Sequence, residues 1–139
     1  MVPSSRLSAD DRRETRSSAD AALPRIMQII DIESWSYYKE KSPSVIGGIE
    51  YSFVSSKYYE KVIDGEEWSC GLFFIGDKQV LKAWGKKSEE ACSYHSLYVN
   101  GAWTKAQKGC SVSLPIYINN KKVGFVFTHH SKNYTFMAN

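Results

Sequence analysis

The clearest pattern lies in the last third of the chain, where apolar and polar positions alternate. Val112, Leu114, Ile116 and Ile118 alternate with smaller or polar residues, and Val123, Phe125 and Phe127 repeat the period after Asn119–Lys122. A period of two predicts half-buried β-strands, here a hairpin. A turn at Asn120-Lys121 pairs Leu114 with Phe127 and Ile116 with Phe125. Pro115 lacks an amide hydrogen, which indicates an edge strand or a donor position that faces outward.

A second hairpin is predicted around Gly76-Asp77, between strands at 67–75 and 78–85. A two-residue loop of this composition favours a primed turn. That turn makes Leu72 face Leu81 and Cys70 face Ala83. Both faces of the hairpin are then apolar, so we expect a helix to cover one of them.

Two short helices and several further strands complete the prediction. Asp31 is a candidate N-cap for a helix over 31–39, and Ser56 caps a second helix over 56–63 that ends at Asp64-Gly65. Asn100-Gly101 signals a hairpin between strands at 94–99 and 102–106, preceded by a helical turn or loop near 87–92. Further strands are predicted at 25–30, 45–53 and 134–137. The expected fold is α+β: a predominantly antiparallel β-sheet with two short helices packed on it.

Residues 1–22 differ from the rest because they contain none of the 19 aromatic residues. So few large apolar groups cannot offset the entropy of ordering, which predicts a disordered leader. Residues 23–139 are then a single domain.

Charge and composition exclude few partners. The net charge is only +3, too weak to indicate duplex nucleic acid. No apolar run is long enough to span a bilayer. Three cysteines without a CxxC pair do not resemble a secreted disulfide framework, so we expect a reducing, intracellular compartment. Membrane association would require regions beyond this chain.

Cys92 and His95 are three residues apart and suggest a nucleophile with its base, or two metal ligands. Either role requires a shared face, which only a helix provides at this spacing. The predicted hairpin puts them on opposite faces, as a half-buried cysteine and a surface histidine. His129 and His130 likewise point to opposite faces at a strand end. We expect no catalytic residue, no metal site and no cofactor.

The candidate binding surface combines cations with a large ring: Lys82, Trp84, Lys86 and Lys87. Such pairs bind single-stranded nucleic acid, with the ring stacking on a base and the cations contacting phosphates. Lysine stems beside a core ring give the same pattern. The main hypothesis is a non-catalytic domain that binds a protein partner. The alternatives are a single-strand nucleic-acid-binding module and a small Cys/His-dependent enzyme.

The leader "SADDRRETRSSADAALP" before the aromatic segment "GEEWSCGLFFIGDKQVLKAWGKK" resembles the immune mapped proteins of apicomplexan parasites. The resemblance is one of overall character over about 110 residues. It implies a non-enzymatic, antigen-type C-terminal domain of a membrane-associated parasite protein, anchored by a lipidated N-terminus that this chain lacks.

Overall fold

The computed structural model describes residues 29–139, so the predicted leader and residues 25–28 of the first predicted strand lie outside the described residues. A 3-10 turn spans Ile32–Ser34. The strands are β1 (Ser36–Lys41), β2 (Ser44–Ile46), β3 (Ile49–Tyr51), β4 (Val54–Ile63), β5 (Glu66–Ile75), β6 (Lys78–Lys86), β7 (Tyr94–Val99), β8 (Ala102–Trp103), β9 (Gln107–Lys108), β10 (Ser113–Ile118), β11 (Lys121–His129) and β12 (Lys132–Met137).

The predicted α+β class is wrong, because neither of the two helices forms. The segment 56–63 belongs to β4, a ten-residue strand. Its tyrosines and Val62-Ile63 favour a pleated surface, and Asp64-Gly65 closes a hairpin turn to β5 rather than ending a helix. In the segment 31–39 Asp31 accepts a hydrogen bond from the Glu33 amide at 3.1 Å, but it caps only the 3-10 turn.

The antiparallel β-sheet prediction is confirmed, in the form of three sheets. The largest has the strand order β1-β4-β5-β6-β7-β8, with β9 also paired to β7; β10-β11-β12 form a second sheet and β2-β3 a third. Residues 34–139 make up one compact unit. No helix within residues 29–139 is long and apolar enough to cross a membrane.

The β5–β6 hairpin turns at Gly76-Asp77 as predicted, with Ile75 opposite Lys78 and Phe74 opposite Gln79. A bulge between Phe73 and Phe74 then shifts the register by one residue. Phe73 therefore faces Leu81, and the predicted pairing of Leu72 with Leu81 is wrong. Beyond the bulge every side chain of one strand meets a different partner from the predicted one.

The β10 strand of the second hairpin faces the opposite way from the prediction, whereas Phe125 and Phe127 of β11 face the core as predicted. Its turn is Asn119-Asn120, both at positive φ (52° and 65°), which is the conformation of a primed turn. A bulge after Ile116 leaves Ser113 opposite Phe127 and Pro115 opposite Phe125. Leu114 consequently points outward and is 62 % exposed. The predicted edge position of the Pro115 strand is confirmed.

The core lies between the large sheet and the three-stranded sheet. Phe73, Leu81 and Leu97 from the large sheet pack in one cluster with Phe125 and Phe127 from β11. A second sheet therefore covers this face of the β5–β6 hairpin, and the expected helical cover is not found there. The β2–β3 hairpin closes one side of this core with Ile46 and Tyr51, both buried.

Candidate functional site

The predicted binding surface lies on β6 and just after it. Lys82, Trp84 and Lys86 alternate along the strand and share one face. Trp84 is only 1 % exposed, so its ring offers no open face for a base to stack on. The lysine stems lie beside buried rings, which is the arrangement expected of amphipathic side chains that cover apolar surface.

The ammonium groups of this surface already have partners. Lys82 Nζ lies 4.3 Å from the centre of the Trp103 ring. Lys86 Nζ forms an ion pair with Glu66 at 3.0 Å. Lys87 is hydrogen-bonded to Glu60, a contact that raises the pKa of the lysine. With these pairings, the geometry does not support a row of lysines that binds phosphates.

A groove opens beside this surface, on the opposite face of β5 and β6. Its floor consists of four small residues at neighbouring register positions: Ser69 lies opposite Gly85, and Gly71 lies opposite Ala83. Four side chains this short leave a depression between the strands on either side. The resulting cavity has a volume of about 420 Å³.

One wall of the groove is aromatic. Tyr58 pairs with Gly71 across β4 and β5, and its ring leans over the glycine towards Phe73, with ring centres 6.2 Å apart. A Cβ on Gly71 would lie 2.9 Å from Cε2 of Tyr58, so a side chain here would displace the ring. Glycine at position 71 therefore determines the shape of this wall.

The opposite wall is the loop between β6 and β7, which contributes Glu89, Glu90, Ala91 and Cys92 to the lining. Both carboxylates are exposed at the rim. Trp84, Lys86 and Lys87 also contribute to the lining, although the side chains of Trp84 and Lys86 project from the other face of β6. Glu66 and Glu60 form ion pairs with the two lysines. The exposed carboxylates of Glu89 and Glu90 therefore favour a positively charged ligand at the rim.

The loop wall is fixed by a disulfide. Cys92 and Cys110 are bonded, with their Cα atoms 5.6 Å apart. This pairing was not expected from the cysteine spacing. While the bridge is intact, Cys92 has no thiol, so the enzyme hypothesis lacks its nucleophile. The remaining cysteine, Cys70, is buried, and burial raises its pKa to about 12.

His95 is buried and not, as predicted, at the surface, since it is only 1 % exposed. Its Nδ1 lies 2.6 Å from the Gly109 carbonyl oxygen, and its Nε2 lies 2.9 Å from Nδ1 of His129. Because a carbonyl only accepts, Nδ1 of His95 carries the hydrogen, and Nε2 accepts from His129. The two neutral rings thus form a directed chain that joins the large sheet to the three-stranded sheet.

Burial is the largest cause of a lowered pKa in both histidines. For His129 the neighbouring rings of His95 and His130 lower the pKa further, and the backbone of Lys105 opposes the shift. Nε2 of His129 is buried and makes no hydrogen bond in the described part of the chain. Within residues 29–139, no group of three or more His, Cys, Asp or Glu side chains is arranged to hold a metal ion.

The groove was not predicted from the sequence, although the small residues that form its floor can be read from it. Ser69, Gly71, Ala83 and Gly85 occupy alternate positions on two strands that were correctly paired as a hairpin. The predicted register placed Ala83 opposite Cys70, which separates the small residues into two unrelated sets. With the bulge at Phe73-Phe74 in place, the same residues become a single floor.

Comparison with known proteins adds no relative: no family model, curated protein or solved structure matches the chain. The resemblance to the immune mapped proteins therefore stays a prediction.

Proposed function

We propose that this chain is a non-catalytic protein-interaction domain, and that its groove receives a large apolar side chain of a partner polypeptide. The observation that carries the proposal is the cavity of about 420 Å³ above the small-residue floor. Its volume is within the range of about 300–1,000 Å³ that is usual for binding pockets. The aromatic wall of Tyr58 and Phe73 above a floor of small residues suits an apolar anchor residue of the kind that dominates protein interfaces.

The charges at the rim specify what should flank that anchor. Glu89 and Glu90 are exposed, whereas Lys86 and Lys87 are paired with carboxylates of the domain itself. A partner segment with an aromatic or aliphatic anchor next to arginine or lysine fits both the recess and the rim.

The polar groups of the groove support binding rather than chemistry. The Ser69 hydroxyl is hydrogen-bonded to the Tyr38 hydroxyl at 2.9 Å. Cys92 is held in its bridge to Cys110. Ser69 therefore shapes the floor of the groove, and Cys92 shapes its loop wall. The expected intracellular, reducing location stays a prediction, and the state of this cysteine pair in cell extracts would report on it.

Peptide selection with the full chain tests the proposal. Random peptides are selected on the wild type, and binding is then measured to Ala83→Leu, which fills the floor, and to Ala102→Leu, the same change at an exposed site on β8. We expect selected peptides with a large apolar residue beside a basic one, which bind Ala102→Leu normally and Ala83→Leu at least tenfold more weakly, a loss of about 1.4 kcal/mol.

Thermal unfolding of both variants establishes that they are folded. Selected peptides that bind Ala83→Leu and wild type equally would refute the groove as the binding site.

A further inference from the structure

The two sides of the disulfide bridge between Cys92 and Cys110 are attached to the domain differently. Cys110 follows Gly109, whose amide donates a hydrogen bond to the Ser93 carbonyl at 2.7 Å. The Gly109 carbonyl accepts a second hydrogen bond, from Nδ1 of His95 at 2.6 Å. The Cys110 side is therefore attached to β7 and to the residue before it by hydrogen bonds that do not involve the bridge.

The Cys92 side is a loop that is hydrogen-bonded at its two ends. The Glu89 amide donates to the Lys86 carbonyl at 3.0 Å, and the Ser93 amide donates to the Trp84 carbonyl at 2.7 Å. Within residues 29–139, the intervening residues 90–92 form no backbone–backbone hydrogen bond. Between the two ends, the bridge is therefore the main attachment of this loop to the rest of the domain.

The residues that the bridge attaches form the loop wall of the groove. A Cβ on Gly85 would lie 3.3 Å from the Ala91 carbonyl oxygen, so the loop backbone packs against the floor at this position. Glu90, one of the two exposed carboxylates of the rim, belongs to the same three residues. The bridge consequently fixes the width of the groove and the position of a carboxylate that the proposed partner's basic residue would meet.

The bridge is accessible to a reductant. Cys110 is exposed and Cys92 is half-buried, so a reductant reaches the Cys110 sulfur first. One thiolate of a dithiol attacks that sulfur, the S–S bond breaks, and the bonding electrons leave with the Cys92 sulfur, which takes up a proton. The second thiol of the reductant then displaces the Cys110 thiol, and the dithiol itself becomes a disulfide.

The bridge lies outside the hydrophobic core. The core cluster contains neither Cys92 nor Cys110, and it is built from strands of both packed sheets. Since the Cys110 side also keeps its own hydrogen bonds, we expect the domain to stay folded when the bridge is reduced. The effect of reduction is then confined to the loop wall.

We propose that the bridge is a redox switch of the groove: the oxidised chain binds its partner polypeptide, and the chain reduced by a dithiol releases it. This inference rests on the proposed function. In the reduced chain residues 90–92 lose their attachment, so a partner has to order them as it binds. Ordering a loop costs conformational entropy, which lowers the affinity.

Affinity measurements on the full chain in both redox states test the proposal. A peptide selected on the oxidised wild type is titrated into the oxidised chain and into the chain reduced with dithiothreitol, and thiol alkylation verifies each state. We expect the reduced chain to bind about fivefold more weakly. On reduction, amide hydrogen exchange should increase about tenfold at residues 90–92 and stay unchanged in β11.

Two cysteine variants serve as controls. Cys92→Ser/Cys110→Ser should bind the peptide as weakly as the reduced wild type does, and dithiothreitol should not change its affinity. Cys70→Ala retains the bridge, because Cys70 is the free cysteine. It should bind as the oxidised wild type does and should lose affinity in dithiothreitol to the same extent.

The groove variant Ala83→Leu separates this proposal from the proposed function. If the oxidised and reduced chains bind the peptide equally and Ala83→Leu binds it weakly, the groove remains the binding site and the switch is refuted. If Ala83→Leu binds as well as the wild type does, the proposed function fails, and the switch fails with it. Exchange at residues 90–92 that does not change on reduction, or an increase throughout the domain, would also overturn the switch, because the bridge then does not act on the loop alone.

Discussion

Replacing His129 with phenylalanine should destabilise the domain and weaken its response to acid. The substitution keeps a ring of similar size at a site that is 2 % exposed, but it removes the Nδ1–H that His129 donates to His95. Nε2 of His95 then becomes a buried acceptor without a donor. Leaving such a group unsatisfied costs about 1–3 kcal/mol. Near neutral pH, each kcal/mol should lower the melting temperature by about 4 °C.

The pH dependence follows from the lowered pKa values of His95 and His129. In the unfolded chain both rings have ordinary pKa values of about 6.5, so below that pH the unfolded state binds protons that the folded pair does not bind. Stability is therefore fully present above about pH 6.5 and is lost as the pH falls through the folded pKa values. Each histidine contributes a slope of up to about 1.4 kcal/mol per pH unit.

Denaturant unfolding measures both the loss of stability and its pH dependence. The measurements cover about pH 5 to 8, which is about 1.5 units on either side of the ordinary histidine pKa. His129→Phe should be less stable at neutral pH and should have a shallower acid slope than the wild type. Ile63→Val, a buried change at the far end of β4, should cost about 0.5–1.5 kcal/mol and leave the slope unchanged. A His129→Phe variant with the stability and slope of the wild type would refute the histidine chain.

Three further predictions concern the fold. Gly47→Ala should lower the melting temperature markedly in calorimetry, because position 47 has φ +55° and a Cβ there would lie 2.2 Å from the Ser113 nitrogen; wild-type melting would contradict the contact between the β2–β3 turn and β10. Ser113→Ala should lower the free energy of unfolding by about 1–3 kcal/mol in denaturant, because the Ser113 hydroxyl is hydrogen-bonded to both the Tyr51 hydroxyl and the Ile46 carbonyl at 2.6 Å. Leu114→Ser, at an exposed side chain, should change it by less than about 0.5 kcal/mol. A larger loss for Leu114→Ser than for Ser113→Ala would support the facing of β10 that was predicted from the sequence. Alkylation of the denatured, unreduced chain followed by mass spectrometry should label Cys70 alone, and labelling of all three cysteines would contradict the bridge.

Turn chemistry was the part of the fold that the sequence predicted best. Gly76-Asp77 and Asn100-Gly101 were correctly placed as hairpin turns, because their backbone requires positive φ, which few residues adopt readily. The strand 94–99 follows directly from the second of these turns. Local chemistry of this kind can be predicted without knowledge of tertiary contacts.

Register and helix–strand choice were predicted poorly, because both depend on contacts between distant residues. At the bulges next to Phe73-Phe74 and Ile116-Tyr117, one strand of the pair has one extra residue. An offset of one residue in the register reverses which side chains face the core. The segment 56–63 matches a short helix in its cap and end signals, yet pairing with β1 and β5 on both sides makes it a strand. The buried histidine pair was likewise invisible, since His95 and His129 are 34 residues apart and meet only when two sheets pack.

The groove itself is tested most directly by a nuclear magnetic resonance titration. The ¹⁵N-labelled full chain is titrated with a peptide selected on the wild type, and amide shift changes are followed residue by residue. We expect the largest changes at Ser69, Gly71, Ala83 and Gly85, and we expect them to disappear in Ala83→Leu. Changes concentrated on β10–β12, or unaltered in Ala83→Leu, would contradict the groove as the binding site.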